Sequence, residues 1–378
     1  MLARFRERAP IYDRENRFFQ EDFEDLRRAG YLTIAVPQEY GGRGLNLAEV
    51  IREQRRLAYY APATALAVNM HVYWTGVAAD LRKMGDSSLE WMLREAAEGE
   101  IFAAGHGEAG NDLPLLLSTS SAQRVDGGYR ISGHKIFGSL TPVWTRLGVH
   151  AMDTSDPASP RVVHAFVPRG TPGYTIKETW DVLGMRATRS DDTILDGVFV
   201  PDRYIARVVP AGALDPFVGG VFAWALLNFG AIYCGLAERA RDVAITSTLK
   251  RKALAVSRSL AYHPEIQHLF AEMQLDLEAM IPQVERVAED WSLGVDHGPA
   301  WPMKIVAAKH NCVEGAKRVV DRALTASGGT GMFKSSELER LYRDVRCGGF
   351  HPANAMLTHE IVGKTTLGVG LDEQPRWG

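Results

Sequence analysis

The stretch Val218-Gly219-Gly220-Val221-Phe222-Ala223-Trp224-Ala225-Leu226-Leu227-Asn228-Phe229-Gly230-Ala231-Ile232-Tyr233-Cys234-Gly235-Leu236-Ala237 carries one strongly polar residue, Asn228. Roughly 18 or more apolar residues suffice for a membrane span, so this run decides between a membrane protein and a soluble one built on a buried helix. It stands alone in mid-chain, opens on paired glycines and lacks a basic flank on its N-terminal side. Those features favour a helix covered on all sides, and the rest of the composition agrees. The 378 residues are 46% hydrophobic and 24% charged, with Gly and Pro scattered, which excludes disorder, fibrous repeats and a disulfide-stapled mini-domain. Lys and Arg number 43 against 46 Asp and Glu, a net charge of −3, and the longest basic block is Lys250-Arg251-Lys252. No nucleic-acid surface and no membrane partner is expected; small molecules fit better. Cys234, Cys312 and Cys347 form no CxxC pair and no cluster with histidines, which argues against a metal site and for a reducing compartment. Arg4, Glu7, Arg8 and Asp13 interrupt any signal-like run, so the expected location is the cytoplasm.

Outward from that run the periodicity changes twice. Residues 1–99 read as a helical domain: Asn46 with Glu49 makes a capping box before Leu47, Val50, Ile51, Gln54, Leu57 and Ala58, and Ser87 with Glu90 makes a second. His71 stands alone in the apolar stretch between them, the usual setting of a satisfied core histidine. Residues 100–210 read as a β-barrel-like domain of short strands, punctuated by Asp126-Gly127-Gly128 and by Asp196-Gly197. Residues 211–378 return to helical spacing as a bundle: Pro264 opens a helix whose Ile266, Leu269, Phe270, Met273, Leu277 and Met280 share a face. A further helical block runs from Met303 to Leu324, and Ser336 with Glu339 makes a third capping box. The expected class is α+β, mostly α, in the order helices, strands, helices. Gly105-His106-Gly107-Glu108-Ala109-Gly110 spells a dinucleotide fingerprint, but Pro114 and an unpatterned apolar stretch follow where a helix is required, so a nicotinamide site is not expected.

Six segments in order resemble the acyl-CoA dehydrogenase superfamily of flavoenzymes, over nearly the whole chain. Val36-Pro37-Gln38-Glu39-Tyr40-Gly41-Gly42 is similar to its N-terminal P-x-E-Y-G-G segment, and Gly110-Asn111-Asp112 to the end of its flavin-facing loop. Gly133-His134-Lys135-Ile136-Phe137-Gly138-Ser139 is similar to the G-x-K-x-W-I-T strand, and Leu183-Gly184-Met185-Arg186 to L-G-x-R. Ser327-Gly328-Gly329-Thr330-Gly331 and Glu339-Arg340-Leu341-Tyr342-Arg343-Asp344 match the C-terminal G-G-x-G and E-R-x-x-R-D. The resemblance implies an N-terminal helical domain, a middle β domain and a C-terminal helical bundle. It also implies FAD or FMN held by Phe137, Ser139, Gly110, Asn111, Arg251, Gly328, Gly329 and Gly331, and a homodimer or homotetramer in which the Gly328 loop meets a neighbouring subunit's flavin. An isoalloxazine needs an apolar wall and a few donors; Phe137 and the Ser139 hydroxyl would supply them, although a strand-end serine is also readily satisfied by water.

The departures from the pattern bear on the chemistry. Counting from Arg343-Asp344, the family's glutamate base falls on Pro352, and the alternative site on the central helix falls near Ala225; neither can take a proton. The oxygen-using branch, which includes dibenzothiophene monooxygenase and hydroxyphenylacetate hydroxylase, places a histidine and a serine beside the flavin. His351 and Ser139 match those positions, and His71 a further pocket histidine, so these three are the expected catalytic residues. The expected activity is a monooxygenase using O₂ and reduced flavin from a separate reductase, acting on a small molecule. An atypical acyl-CoA or acyl-carrier-protein dehydrogenase acting on an acyl thioester, with Glu108 or Glu360 as base, is the alternative, and a flavin-free scaffold the second.

Overall fold

The computed structural model describes residues 1–254, 257–371 and 373. Helices α1 (Leu2–Glu15), α2 (Gln20–Arg28), α3 (Leu47–Tyr60), α4 (Pro62–Lys83) and α5 (Glu90–Ala97) come first. Asn46 caps α3 as a full capping box, its side chain accepting from the Glu49 amide at 3.1 Å while the Glu49 carboxylate accepts from its own at 2.9 Å. The other two boxes do not form. Leu89, not Ser87, precedes α5, and Glu90 pairs with Arg82 and Arg94. Glu339 is likewise taken by Lys334 and Arg343. An arginine within reach of a glutamate competes with a backbone amide for it, and here it wins.

The strands β1 (Phe102–Gly105), β2 (Ser121–Val125), β3 (Gly128–Gly138), β4 (Arg146–Asp153), β5 (Arg161–Pro168), β6 (Tyr174–Lys177), β7 (Asp191–Pro201) and β8 (Ile205–Pro210) form one mixed sheet. Its order is β6-β7-β3-β2-β4-β5-β8, with β1 parallel to β4. Among the described residues the end strands β6 and β8 do not pair, so the sheet stays open rather than closing into a barrel. Asp126-Gly127 turns β2 into β3, with Val125 opposite Gly128. Asp196-Gly197 is not a turn: β7 runs through it, and the left-handed Gly197 lies where the β3–β7 register shifts.

The long apolar run is the middle of α6 (Pro216–Lys250), and 89% of its most apolar window is buried inside the protein. It is covered by α3 and α4 on one side and by α7 (Pro264–Ser292) and α8 (Trp301–Ser327) on the other. Two glycines permit the close crossings: a Cβ at Gly76 would collide with the Trp224 ring, and one at Gly235 with the Arg55 carbonyl. Asp80 answers the polar edge of the core, accepting from the Trp224 and Trp291 indoles at 2.6 and 2.8 Å. Helices α9 (Glu337–Arg346) and α10 (Ala355–Leu367) complete the chain, joined by a short 3-10 turn, Cys347–Phe350, and the residues after it.

The sheet is locked to this C-terminal region beside Gly184. Gly184 lies against the Arg343 carbonyl so closely that no Cβ fits, and the buried Asp344 carboxylate accepts from the Met185 amide at 2.6 Å. Arg343 adds an ion pair to Asp13 of α1 at 2.6 Å and a hydrogen bond to the Leu183 carbonyl at 2.9 Å.

Candidate active site

His351 follows the 3-10 turn after α9. Its ring stacks on Phe229 of α6, with centroids 4.5 Å apart and planes 12° from parallel, and its Nε2 is 2.8 Å from the Tyr233 hydroxyl. Burial, with the charge of Lys309 adding to it, lowers its pKa to about 3, so the imidazole is neutral at physiological pH. Burial pushes the Tyr233 phenol far above its ordinary range, so the hydroxyl keeps its proton. Ala353, two residues on, holds a left-handed φ of 55°, an expensive conformation for a residue with a Cβ.

Ser139 terminates the β3 path on the other side of the lock. Phe137, at φ 60° in an irregularity of β3, is 56% exposed and meets Trp180 edge-to-face at 6.0 Å. Two residues later the Ser139 hydroxyl begins a buried chain: 2.7 Å to Ser190 Oγ, 2.7 Å on to Thr188 Oγ1, and 2.9 Å to the Met185 carbonyl. Ser139 is therefore satisfied by protein rather than by water. Among the described residues no hydrogen bond or ring contact joins it to His351. The hydrogen bonds run from Ser139 through Ser190, Thr188 and Met185 to Asp344 of α9, the helix that precedes the His351 segment.

Other expected site residues lie elsewhere. His71 is buried with both nitrogens engaged: Nδ1 accepts from the Phe102 amide at 3.0 Å and Nε2 donates to the Leu32 carbonyl at 2.9 Å. It ties α4 to β1 and to the loop before α3, and has no nitrogen left for a substrate; the catalytic expectation for it is corrected to a structural one. Asn111 braces its own loop, donating to Glu108 at 2.9 Å and to the Leu117 carbonyl at 2.8 Å, beside Gly110 at φ 77°. Glu108 is the hub of that loop. Its carboxylate accepts from Lys135 Nζ, from the Ser118 and Ser120 hydroxyls and from the Thr119 and Ser120 amides. Burial alone would raise its pKa, but the Lys135 charge and these donors outweigh burial and bring it to about 2. A carboxylate so held is a poor proton acceptor. Glu360 is paired with Lys364 at 3.0 Å.

Arg251 and the glycine turn do come together. The guanidinium donates to the Ser327 carbonyl and, at 3.2 Å, to that of Ala326, and it lies over Gly328, whose φ is 64°. The Ser327 hydroxyl is buried there without a hydrogen-bond partner among the described residues. A cation, an orphaned hydroxyl and a glycine backbone suit a phosphate, as the exposed Phe137 face suits a flat apolar ring.

Residues 3–89 match the N-terminal domain of acyl-CoA dehydrogenases and residues 218–350 the C-terminal domain. The chain is 31% identical over 364 residues to amino sugar nitrososynthase DnmZ of Streptomyces peucetius, covering 94% of this chain and 88% of that protein. It belongs to the acyl-CoA dehydrogenase superfamily. Within that superfamily it is also 27% identical to the putative acyl-CoA dehydrogenase YdbM of Bacillus subtilis, over 92% of this chain and 90% of YdbM. Among solved structures, nitrososynthase from Micromonospora carbonacea var. africana superposes with a TM-score of 0.86 at 28% identity, covering 97% of this chain and 94% of that one. The superfamily member described here is a flavin-dependent oxidoreductase.

Sequence reasoning missed Phe229, Tyr233 and Lys309, the residues that hold His351. One signal was available: Lys309 interrupts the buried α8 stripe of Ile305, Ala308, Cys312, Val313 and Ala316.

Proposed function

We propose that this enzyme is a flavin-dependent monooxygenase acting on an amine nitrogen. The observation that carries the reading is the neutral His351–Tyr233 pair beside Pro352, where the superfamily's proton-abstracting carboxylate would stand. An amine must offer its lone pair to be oxygenated. A carboxylate at that point would favour the ammonium form, whereas a neutral imidazole with a buried cation behind it favours the free base. Bound flavin, FAD or FMN, when reduced supplies the electrons that activate O₂. Phe137 and Trp180 would wall its ring, the Ser139 hydroxyl chain would offer it a polar contact, and Arg251 with the Gly328 turn would meet a phosphate of a neighbouring subunit's flavin. His351 and Tyr233 hold the substrate nitrogen by hydrogen bonds and add no charge. The nitrososynthase similarity supports the choice of nitrogen, and a separate reductase is the expected source of reduced flavin. Met332 and Phe333, 69% and 65% exposed just after the Gly328 turn, support the expected homo-oligomer.

The test has two arms. Under anaerobic conditions a panel of saturated acyl-CoAs should leave the oxidised flavin unbleached. Given reduced flavin and air, the enzyme should convert a primary amine, an amino sugar above all, to its hydroxylamine, read as the gain of one oxygen by mass. Rapid anaerobic bleaching by an acyl-CoA would overturn the proposal and establish the atypical dehydrogenase.

A further inference from the structure

Lys309 is an ammonium buried to 2% exposure, and among the described residues no carboxylate lies within ion-pair distance of it. Its Nζ donates to the Ala353 carbonyl at 3.1 Å and lies 3.4 Å from that of Gly348. These carbonyls bracket the segment that carries His351. The nearest acid on its own helix, Glu314, is engaged by Lys317 at 2.6 Å. A buried charge answered only by carbonyl dipoles is costly, and a buried apolar residue would fill the same stripe without that cost. The Ala353 carbonyl also accepts from Thr358 Oγ1 at 3.1 Å, so two donors hold the residue whose backbone is least comfortable.

The groups around the ring are few. Phe229 and Tyr233 meet it from α6 and Lys309 acts on it from α8. Asp344 of α9 and Cys347 act on Tyr233, and Glu314 and Lys317 on Lys309. His310 and His359 lie 5.3 Å apart between α8 and α10.

We propose that Lys309 is a positioning residue for the oxygenation: its ammonium draws the Gly348 and Ala353 carbonyls inward, which seats His351 against Phe229 and Tyr233 and keeps a second positive charge off the imidazole. The role in oxygenation rests on the function proposed above, but the clamp itself does not. Burial, with Lys317 adding to it, lowers the Lys309 pKa to about 8, so the clamp is strong at neutral pH and loosens as pH rises through that value.

The experiment is hydrogen exchange, read by mass spectrometry, of the segment from Gly348 to Asn354 in the full chain without added flavin or substrate, from about pH 6 to about pH 9. In the parent protein, opening beyond the intrinsic chemical rate should rise near the Lys309 pKa. Lys309→Met should open the segment about tenfold faster at neutral pH, the worth of a hydrogen bond from a charged donor. Lys309→Arg should stay closed across the range. Lys309→Gln keeps a donor without the charge, so it should abolish the alkaline rise and serves if Lys309→Met does not fold. The same variants are then assayed for kcat/KM on the amine, where the alkaline fall of the parent should vanish in Lys309→Arg. Exchange and pH profile indistinguishable between parent and Lys309→Met or Lys309→Gln would overturn the proposal. Altered exchange in an enzyme that oxygenates no amine would leave the clamp standing and defeat the proposed function instead.

Discussion

Two lysines are buried among the described residues, and they are answered differently. Lys135, inside the sheet, meets a carboxylate, Glu108, that also gathers two hydroxyls and two backbone amides. Lys309, under the His351 segment, meets only carbonyls. In the first case the charge is neutralised, and the same Nζ donates to the His150 carbonyl, which makes a staple across the loop 105–120. In the second the charge is left over and acts on whatever lies near it. An ammonium matched by a carboxylate fixes structure; one matched by dipoles keeps a field to exert on its neighbours.

The comparison breaks first at Glu108. Glu108→Gln leaves Lys135 buried and uncompensated, and urea unfolding should show a loss of about 3–5 kcal/mol. Lys309→Met removes a charge that had no counter-ion, so its cost by the same measurement should stay under about 2 kcal/mol. Equal losses would mean that the two lysines are equivalent. The functional half of the contrast is sharpened by His351→Ala, which should lower amine oxygenation about 100-fold at unchanged flavin absorbance. A fall under about tenfold would demote the imidazole to a loop residue. The smallest effect is the pH dependence of stability. Glu108 is held at about pKa 2 in the folded chain, against about 4.3 unfolded. Its contribution is therefore complete above the unfolded value and is lost as pH falls toward the folded one. Urea midpoints measured down that window should fall more steeply in the parent than in Glu108→Gln, which keeps the slope owed to other depressed carboxylates such as Asp86.

Much of this architecture was open to reading from local pattern. The change from helical to alternating spacing near residue 100 and back near 211 coincides with β1 and α6, because periodicity reports which face of an element is covered. The capping box at Asn46 was legible because both partners lie within one turn. The boxes at Ser87 and Ser336 failed because Arg82 and Arg343, in places that pattern cannot supply, compete for the glutamates. The site was harder still. His351 was found by position in a motif, but Tyr233 lies 118 residues away in sequence, and only folding brings them together. His71 illustrates the converse: what looked like a pocket histidine has both nitrogens consumed by backbone groups 31 and 39 residues distant.

Helix α6 also constrains how the chain is made. It leaves the ribosome when α3 and α4 already exist to cover one flank, but α8, which covers the other, has yet to be translated. For that interval an 18-residue window hydrophobic enough to enter a bilayer faces water on one side. Synthesis therefore passes through a stage in which this helix is covered on one flank and has yet to gain its packing partner on the other, leaving the kind of exposed apolar surface that invites aggregation.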